Sequence, residues 1–255
     1  MKIFVILSRV PYPLEKGDKL RAFNQLKILS ERHEIHLFAL NDTKLHKDAV
    51  KILSSFCKEV HIFQLSKISI FWNVLRFLFN GKPLQCGYFY NGKAQKKINK
   101  LIPVINPDHI YAQLIRTAEY VKDKSQKKTL DYQDLFSKGL YRIMEKSPAI
   151  KRIFVNIEYK RVQKYEKNIF DLFDNKTIIT QTDKDLFIHN RKNELLVVPN
   201  GVDTAFFKPM DIGKEYDLIF TGNMSYTPNV DAAQYIAKEI LPKLLKKHPK
   251  IRILL

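Results

Sequence analysis

Apolar residues recur along this chain in short blocks, and the period of the blocks alternates between that of a strand and that of a helix. Residues 2–7 (Lys-Ile-Phe-Val-Ile-Leu) form a nearly unbroken apolar run, the mark of a strand covered on both faces as in a parallel sheet. Pro11 and Pro13 predict an extended loop after it. Gly17-Asp18 then opens a helix with Leu20, Phe23, Leu26 and Leu29 on its apolar side. A strand is expected over 34–40, a helix over 44–56 and a third strand over 59–65. This alternation predicts an α/β fold with a Rossmann-like, doubly wound parallel sheet.

Residues 67–80 break the rhythm by crowding Ile68, Ile70, Phe71, Trp72, Val74, Leu75, Phe77, Leu78 and Phe79 into one predicted helix. Two readings stand. The helix packs into a core or against another domain, or it lies in a membrane interface with Lys67, Arg76 and Lys82 near lipid headgroups. Beyond it, a basic helix is expected over 91–101, a strand over 107–112, a helix over 116–124 and a short strand over 128–131. A long helix follows over 147–173, then a strand over 176–180 and a short helix begun by Thr182 and Asp185.

The pattern changes at Leu195-Leu196-Val197-Val198-Pro199-Asn200-Gly201-Val202-Asp203. The aliphatic residues read as a buried strand, Pro199 stops it, and Asn200-Gly201 lets the chain turn. A strand at 216–221, a loop at 222–229, a helix at 230–247 and a strand at 251–255 restart the same grammar. The expected organisation is a first domain over 1–199, a linker over 200–212 and an incomplete second domain over 213–255. A unit of about forty residues buries little apolar surface, so this one is expected to be loosely ordered alone. Its helix face carries Val230, Ala233, Ile236, Ile240 and Leu244.

Charge narrows the partners. Forty-four Lys and Arg against 26 Asp and Glu give a net charge of +18 over 255 residues. The cations are scattered along helical faces, and no zinc-finger or ribonucleoprotein motif is present, so nucleic acid is not an expected partner. An anionic membrane surface is a candidate partner. Cys57 and Cys86 are the only cysteines and read as reduced thiols. The apolar run at the N-terminus is too short for a signal peptide. No run reaches the roughly 18 apolar residues that a spanning helix needs. The expected location is the cytoplasm, with peripheral attachment to the inner face of the plasma membrane as a candidate.

Several residues could carry chemistry. Gly17, Asp18 and Arg21 sit at a predicted strand-to-helix loop, where an α/β sheet binds ligands, or they form a helix-opening turn with a surface salt bridge. Asp131 and Asp134 follow a predicted strand and could accept sugar hydroxyls or act as a base. Alternatively, Asp134 is an N-cap for the next helix. Glu158 and Glu166, among lysines and arginines, read as a solvated face. His33 and His36 lack a carboxylate or cysteine companion in sequence, so no metal site is expected. No nucleophile–base triad is readable.

Val197-Val198-Pro199-Asn200-Gly201-Val202-Asp203, with Phe206 and Pro209, closely resembles the interdomain stretch of family 4 glycosyltransferases of the GT-B fold. Pro11-Tyr12-Pro13 with Gly17-Asp18-Lys19 and Arg21 resembles the opening loop of the subgroup associated with bacterial exopolysaccharide. Asp131-Tyr132-Gln133-Asp134 with Ser137 is similar to its acidic segment. Thr180-Gln181-Thr182-Asp183 resembles its Ser/Thr-rich strand end. Thr221-Gly222-Asn223-Met224, Tyr226 and Pro228-Asn229-Val230-Asp231 resemble the first loop of its second domain. The resemblance implies an acceptor-binding first domain and a second domain that binds a nucleotide-sugar. It also implies metal-independent transfer with retained anomeric configuration to a glycan or lipid-linked acceptor, with no cofactor. Gly17, Asp18, Arg21, Arg116, Asn200, Gly201, Gly222 and Asn223 are the expected substrate-binding residues, and Asp131 and Asp134 the catalytic candidates. The family's paired glutamates on a late helix are missing, so the chain is expected to be truncated and inactive alone. The alternative is a non-catalytic glycan- or lipid-surface-binding chain that needs a partner polypeptide.

Overall fold

A computed structural model of the chain describes residues 1–210, 213–224 and 227–255. Tyr226 and the end of the expected linker at 211–212 lie outside the described residues. Two compact units are present, Met1–Asn200 and Gly201–Leu255.

The first unit is built on a seven-stranded sheet. Its strands are β1 (Lys2–Leu7), β2 (Glu34–Asn41), β3 (Glu59–Gln64), β4 (His109–Gln113), β5 (Lys127–Gln133), β6 (Asn175–Ile178) and β7 (Leu195–Val197). All neighbouring pairs are parallel, in the order β3-β2-β1-β4-β5-β6-β7. The chain winds outward from β1 to β3, then returns to the other side of β1 with β4. This is the doubly wound α/β fold that the apolar pattern predicts.

The period of two explains the layers. Ile3, Val5 and Leu7 point to one face, where they pack with Ala22 and Leu26 of α1 (Gly17–Ser30) and Ala49 and Leu53 of α2 (Ala49–Leu53). Phe4 and Ile6 point to the other face and join a larger core. That core draws on α3 (Lys67–Phe79), α4 (Leu84–Phe89), α5 (Gly92–Ile105), α6 (Ile115–Val121) and α8 (Ala149–Phe170). Gly87 lets α4 meet α3, because a Cβ there would lie 2.8 Å from Phe77 Cβ.

Some expectations need correction. The run at 195–198 is not a strand buried on both faces. β7 is the sheet edge, so Leu196 and Val198 remain exposed while Leu195 is buried. The short helix α9 (Gln181–Leu186) is capped by Thr180, whose hydroxyl accepts Asp183 N–H at 3.1 Å, and not by Thr182. In α3 only Phe77 is buried, so the core reading of this helix fails for Ile68, Phe71, Trp72 and Phe79. One short helix, α4, escapes the sequence reading because six residues are too few to display a period, whereas α7 (Phe136–Glu145) is the helix expected after Asp134.

In the second unit, β8 (Leu218–Ile219) pairs in parallel with β9 (Ile253–Leu254). Between them run α10 (Thr227–Tyr235), one π-helical turn (Ile236–Ile240) and α11 (Leu241–Lys247). No described residue of this unit is buried. Asp203 holds its opening turn, its carboxylate accepting the N–H groups of Ala205 (3.0 Å) and Phe206 (3.1 Å).

Asp134 does not cap α7; the N-cap is Leu135, and the capping carboxylate comes from α8. Glu166 accepts Ser137 N–H at 3.2 Å while 2 % exposed. Its other oxygen meets no partner among the described residues. Burial pushes its carboxyl from an ordinary 4.5 up to about 7, against the hydrogen bonds of Ser137 and Phe136. The folded value is raised, so the stability it contributes is complete below the unfolded value and is lost as pH rises through about 7. Glu166→Gln keeps the acceptor and removes the charge. At pH 8 it is expected to exceed the parent in stability by on the order of 3 kcal/mol, and at pH 4.5 to match it, in denaturant melts at both pH values.

Candidate functional site

In a doubly wound sheet the loops beyond the carboxyl ends of the strands diverge where the winding reverses, which leaves a crevice there. Here the reversal falls between β1 and β4. Most candidate residues of the first unit gather at this end of the sheet.

At the centre lies an ion pair. Arg21 faces inward from α1, and its Nε donates to Asp131 Oδ2 at 3.1 Å. The Arg21 side chain is 6 % exposed and that of Asp131 0 %. Asp131 uses both oxygens: Tyr111 Oη donates to Oδ2 at 2.7 Å and Thr177 Oγ1 to Oδ1 at 2.8 Å. The rest of the guanidinium reaches along the chain. Nη1 donates to Asn200 Oδ1 at 2.9 Å and to Pro199 O at 3.4 Å, and Nη2 donates to Val198 O at 3.0 Å. One arginine thus ties β5 to the stretch that leaves the sheet. Burial and the Asp131 carboxylate push the Tyr111 hydroxyl well up, so it remains a donor.

Asp134 lies just beyond β5 on the surface. Partial desolvation, then the Asp183 and Asp131 carboxylates, raise its carboxyl above the usual aspartate range, against Lys138 and Arg21. Lys138 is engaged with Asp183 at 2.9 Å. Between the two aspartates, Gln133 has φ 59° and a buried Nε2 with no partner among the described residues. A non-glycine residue with positive φ is strained, and an orphan buried amide is costly. Ser8, just after β1, carries a second buried polar group with no partner among the described residues, its hydroxyl, at the same end of the sheet.

A cleft of about 550 Å³ opens beyond β1 and β2. Its cations, Arg9, Lys16, Lys19, Lys44 and Lys47, outnumber Glu15 and Asp42. A second cavity of about 360 Å³ shares Arg9 and Asp42 and is walled by Val74, Leu84, Tyr88 and Phe89. Asp18 pairs with Arg9 at 2.8 Å, so the helix-opening salt bridge is present at the rim. Gln113 at the end of β4 donates to Asp18 O at 3.1 Å and fixes that loop. Gly17 is exposed, with open space where a Cβ would stand. Arg116, at the start of α6, donates from Nε to Gln85 Oε1 at 3.2 Å.

In the second unit, Gly201 is exposed. A Cβ on Gly222 would meet Asn229 Nδ2 at 2.8 Å, and that amide donates to Asn223 O at 3.1 Å. Gly222 and Asn223 are therefore bound into a local turn. The structure brings together Gly17, Asp18, Arg21, Asp131 and Asn200 in the first unit, with Arg116 joined through Gln85 to the apolar cavity. Sequence reasoning misses Arg9, Tyr111 and Thr177, which stand singly among ordinary residues. It also misses the carboxylates beside His36, Glu34 at 2.9 Å and Glu59 at 3.4 Å. Among the described residues no group of three His, Cys, Asp or Glu could hold a metal ion. Both cysteines are free, and burial pushes the Cys57 thiol up to about 12.

No protein-family model matches the chain. It is 24% identical over 266 residues to a protein of Klebsiella pneumoniae described as an uncharacterized 44.6 kDa protein in cps region. That alignment takes in 99% of this chain and 63% of the relative, so the chain spans under two thirds of the relative's length. Among solved structures it is similar to a sucrose-phosphate synthase of Thermosynechococcus elongatus, with 10% identity, TM-score 0.49, and 86% and 55% of the two chains covered. It is also similar to Phytolacca americana UGT2 complexed with UDP-2fluoro-glucose and pterostilbene, with 13% identity, TM-score 0.47, and 79% and 54% covered. A UDP-GlcNAc 2-epimerase of Methanocaldococcus jannaschii follows, with 12% identity, TM-score 0.45, and 100% and 65% covered.

Replacing Asp131 by Asn leaves the Arg21 charge buried without its counter-ion. The variant is expected to lose roughly 3–5 kcal/mol in urea unfolding at pH 7. A loss below about 1 kcal/mol, the range of an exposed pair, would show that the pair is not buried in solution.

Proposed function

We propose that the chain is the acceptor-binding part, with the start of the donor-binding part, of a nucleotide-sugar-dependent glycosyltransferase in cell-surface polysaccharide synthesis. The observation that carries the reading is the cation-rimmed cleft at the carboxyl ends of β1 and β2, opening at the end of the sheet where Asp134 stands. The cps-region description of the Klebsiella relative supports the polysaccharide part. The division of labour follows the interdomain resemblance of 197–203: the first unit takes a glycan or lipid-linked acceptor, and the second contributes Gly201, Gly222 and Asn223 toward the donor.

In this reading an acceptor hydroxyl attacks the anomeric carbon on the same face from which the nucleoside diphosphate leaves, the new glycosidic bond forming as the bond to the diphosphate breaks. The new negative charge is met by backbone N–H groups and cations, without a metal and with retained configuration. Of the two aspartates, the surroundings favour Asp134 as the group that meets the acceptor hydroxyl. Its carboxyl is exposed and is raised by partial desolvation and by Asp183, whereas Asp131 is spent on Arg21, Tyr111 and Thr177. Asp131 and Arg21 serve as positioning residues, with Asn200 held between cleft and linker.

No helix of the described residues is long and apolar enough to cross a membrane. The exposed side of α3, with Phe71 at 63 %, Trp72 at 62 % and Phe79 at 80 %, instead favours a chain that rests on an anionic membrane surface. Ile150, Ile153 and Phe154 of α8 are also exposed, and Arg161 of the same helix donates to Leu78 O at 3.0 Å. Lys67 and Arg76 belong to α3, and Lys151 and Arg152 to α8. Peripheral attachment at the cytoplasmic face would bring a lipid-linked acceptor to the cleft.

Two experiments test this. Vesicle co-sedimentation with and without anionic lipid is expected to retain the parent on anionic vesicles and to release a Phe71→Ser, Trp72→Ser, Phe79→Ser variant. Equal retention would remove the membrane part. In the full-length protein, nucleotide release from a nucleotide-sugar is expected to fall by roughly 100-fold in Asp134→Asn, with donor binding unchanged. Undiminished turnover would remove Asp134 from the chemistry.

A further inference from the structure

The arginines on either side of the winding reversal share one aromatic ring. Arg9 follows β1 and Arg116 follows β4, the two strands that flank the switch point. The Arg9 guanidinium carbon lies 5.5 Å from the Phe89 ring centroid and that of Arg116 lies 4.9 Å from it. The Arg116 guanidinium also lies 4.9 Å from the Phe136 ring. Two aromatic rings thus lie within cation–π reach of one guanidinium, and Gln85 Oε1 accepts its Nε–H. A guanidinium has five N–H donors. Among the described residues the Nη groups of Arg116 meet no acceptor, and they are not sealed from solvent as the orphan groups of Ser8 and Gln133 are.

This arrangement is costly without a ligand. Two like charges stand close together, and burial followed by the Arg9 charge lowers Arg116 to about 10, which leaves it cationic at neutral pH. Of the nearby carboxylates, Asp18 is engaged by Arg9, and Asp42 accepts Tyr88 Oη at 3.1 Å. A fixed fork with unused parallel donors matches the oxygens of a phosphate. The surroundings are amphiphilic. Arg9 lines both the cationic cleft and the cavity walled by Val74, Leu84 and Phe89, and Val74 belongs to α3, whose other side is exposed and aromatic.

We propose that Arg9 and Arg116, set on Phe89 at the switch point, form a binding subsite for the phosphate or diphosphate group of the acceptor. The carrier of that group is either a long-chain alcohol, whose chain would leave along the apolar cavity toward α3, or a water-soluble sugar. The proposal rests on the acceptor reading for the role of the ligand, not for its binding.

Calorimetric titration of the 255-residue chain tests it without any donor. The first probe is inorganic diphosphate, and the second is farnesyl diphosphate below its micellar concentration. The parent is expected to bind diphosphate, and Arg9→Gln and Arg116→Gln each to weaken binding by roughly tenfold or more. Lys164→Gln, on α8, is expected to change nothing. If farnesyl diphosphate binds more tightly than diphosphate and the excess is lost in Val74→Asp, the carrier is a lipid; equal affinities assign a soluble carrier. Should Arg116→Gln fail to fold, Arg9→Gln reads the same subsite from a partly exposed position. Absence of diphosphate binding by the parent, or parent-like binding by both arginine variants, overturns the proposal. Sugar transfer is read separately, so loss of the transferase reading would leave this result standing, and the reverse.

Discussion

The buried pair of Arg21 and Asp131 is the constraint on which the rest of this site depends. Moving two charges out of water costs several kcal/mol per ion, and attraction between them offsets this only when the remaining donors and acceptors are satisfied. Here both carboxylate oxygens and every guanidinium nitrogen are engaged: Tyr111 and Thr177 meet the carboxylate, and Asp131, Val198, Pro199 and Asn200 meet the guanidinium. The partners come from β4, β6 and the stretch after β7, so satisfying one ion pair fixes α1, β4, β5, β6 and the exit from β7 together. An apolar contact would tolerate a sliding strand end; this hydrogen-bond set does not.

Fixing those elements also shapes the space beside them. The loop after β1 is held by Arg9 with Asp18, and Gln113 ties the end of β4 to Asp18 O. The crevice between β1 and β4 therefore has rigid walls at the point where parallel topology opens it. Cations collect on one rim, and an apolar cavity continues toward α3. The same topology leaves α3 with one side packed through Phe77 and the other in solvent, so one end of the sheet offers an ionic cleft beside an apolar surface.

Much of this fold is legible in the amino-acid sequence because parallel strands buried on both faces leave unbroken apolar runs. β2 alternates at its start and is apolar after His36, while β1 is the clearest case. β7 reads the same way and is an edge strand, since four residues cannot tell one covered face from two. The site is legible only in part. Arg21 and Asp131 each stand out at an element end, but they are 110 positions apart and no local pattern pairs them. Glu166 reads as a solvated charge because lysines flank it, yet it falls in helical register with Val162, Tyr165, Ile169 and Phe170, all buried. That register is the signal that places it inside. Arg9 and Arg116 become a pair only through the switch-point topology and Phe89.

The central claim is that Arg21 holds the stretch leaving β7 against the sheet. Amide hydrogen exchange in an Arg21→Gln variant addresses it most directly. Val198 N–H donates to Ile178 O at 2.8 Å, and Arg21 holds the Val198 carbonyl on the same peptide segment. The account predicts faster exchange at Val198 and neighbouring amides of 195–200, with β1 and β2 protected as in the parent. Unchanged protection at Val198, or an equal loss across the whole sheet, would contradict it.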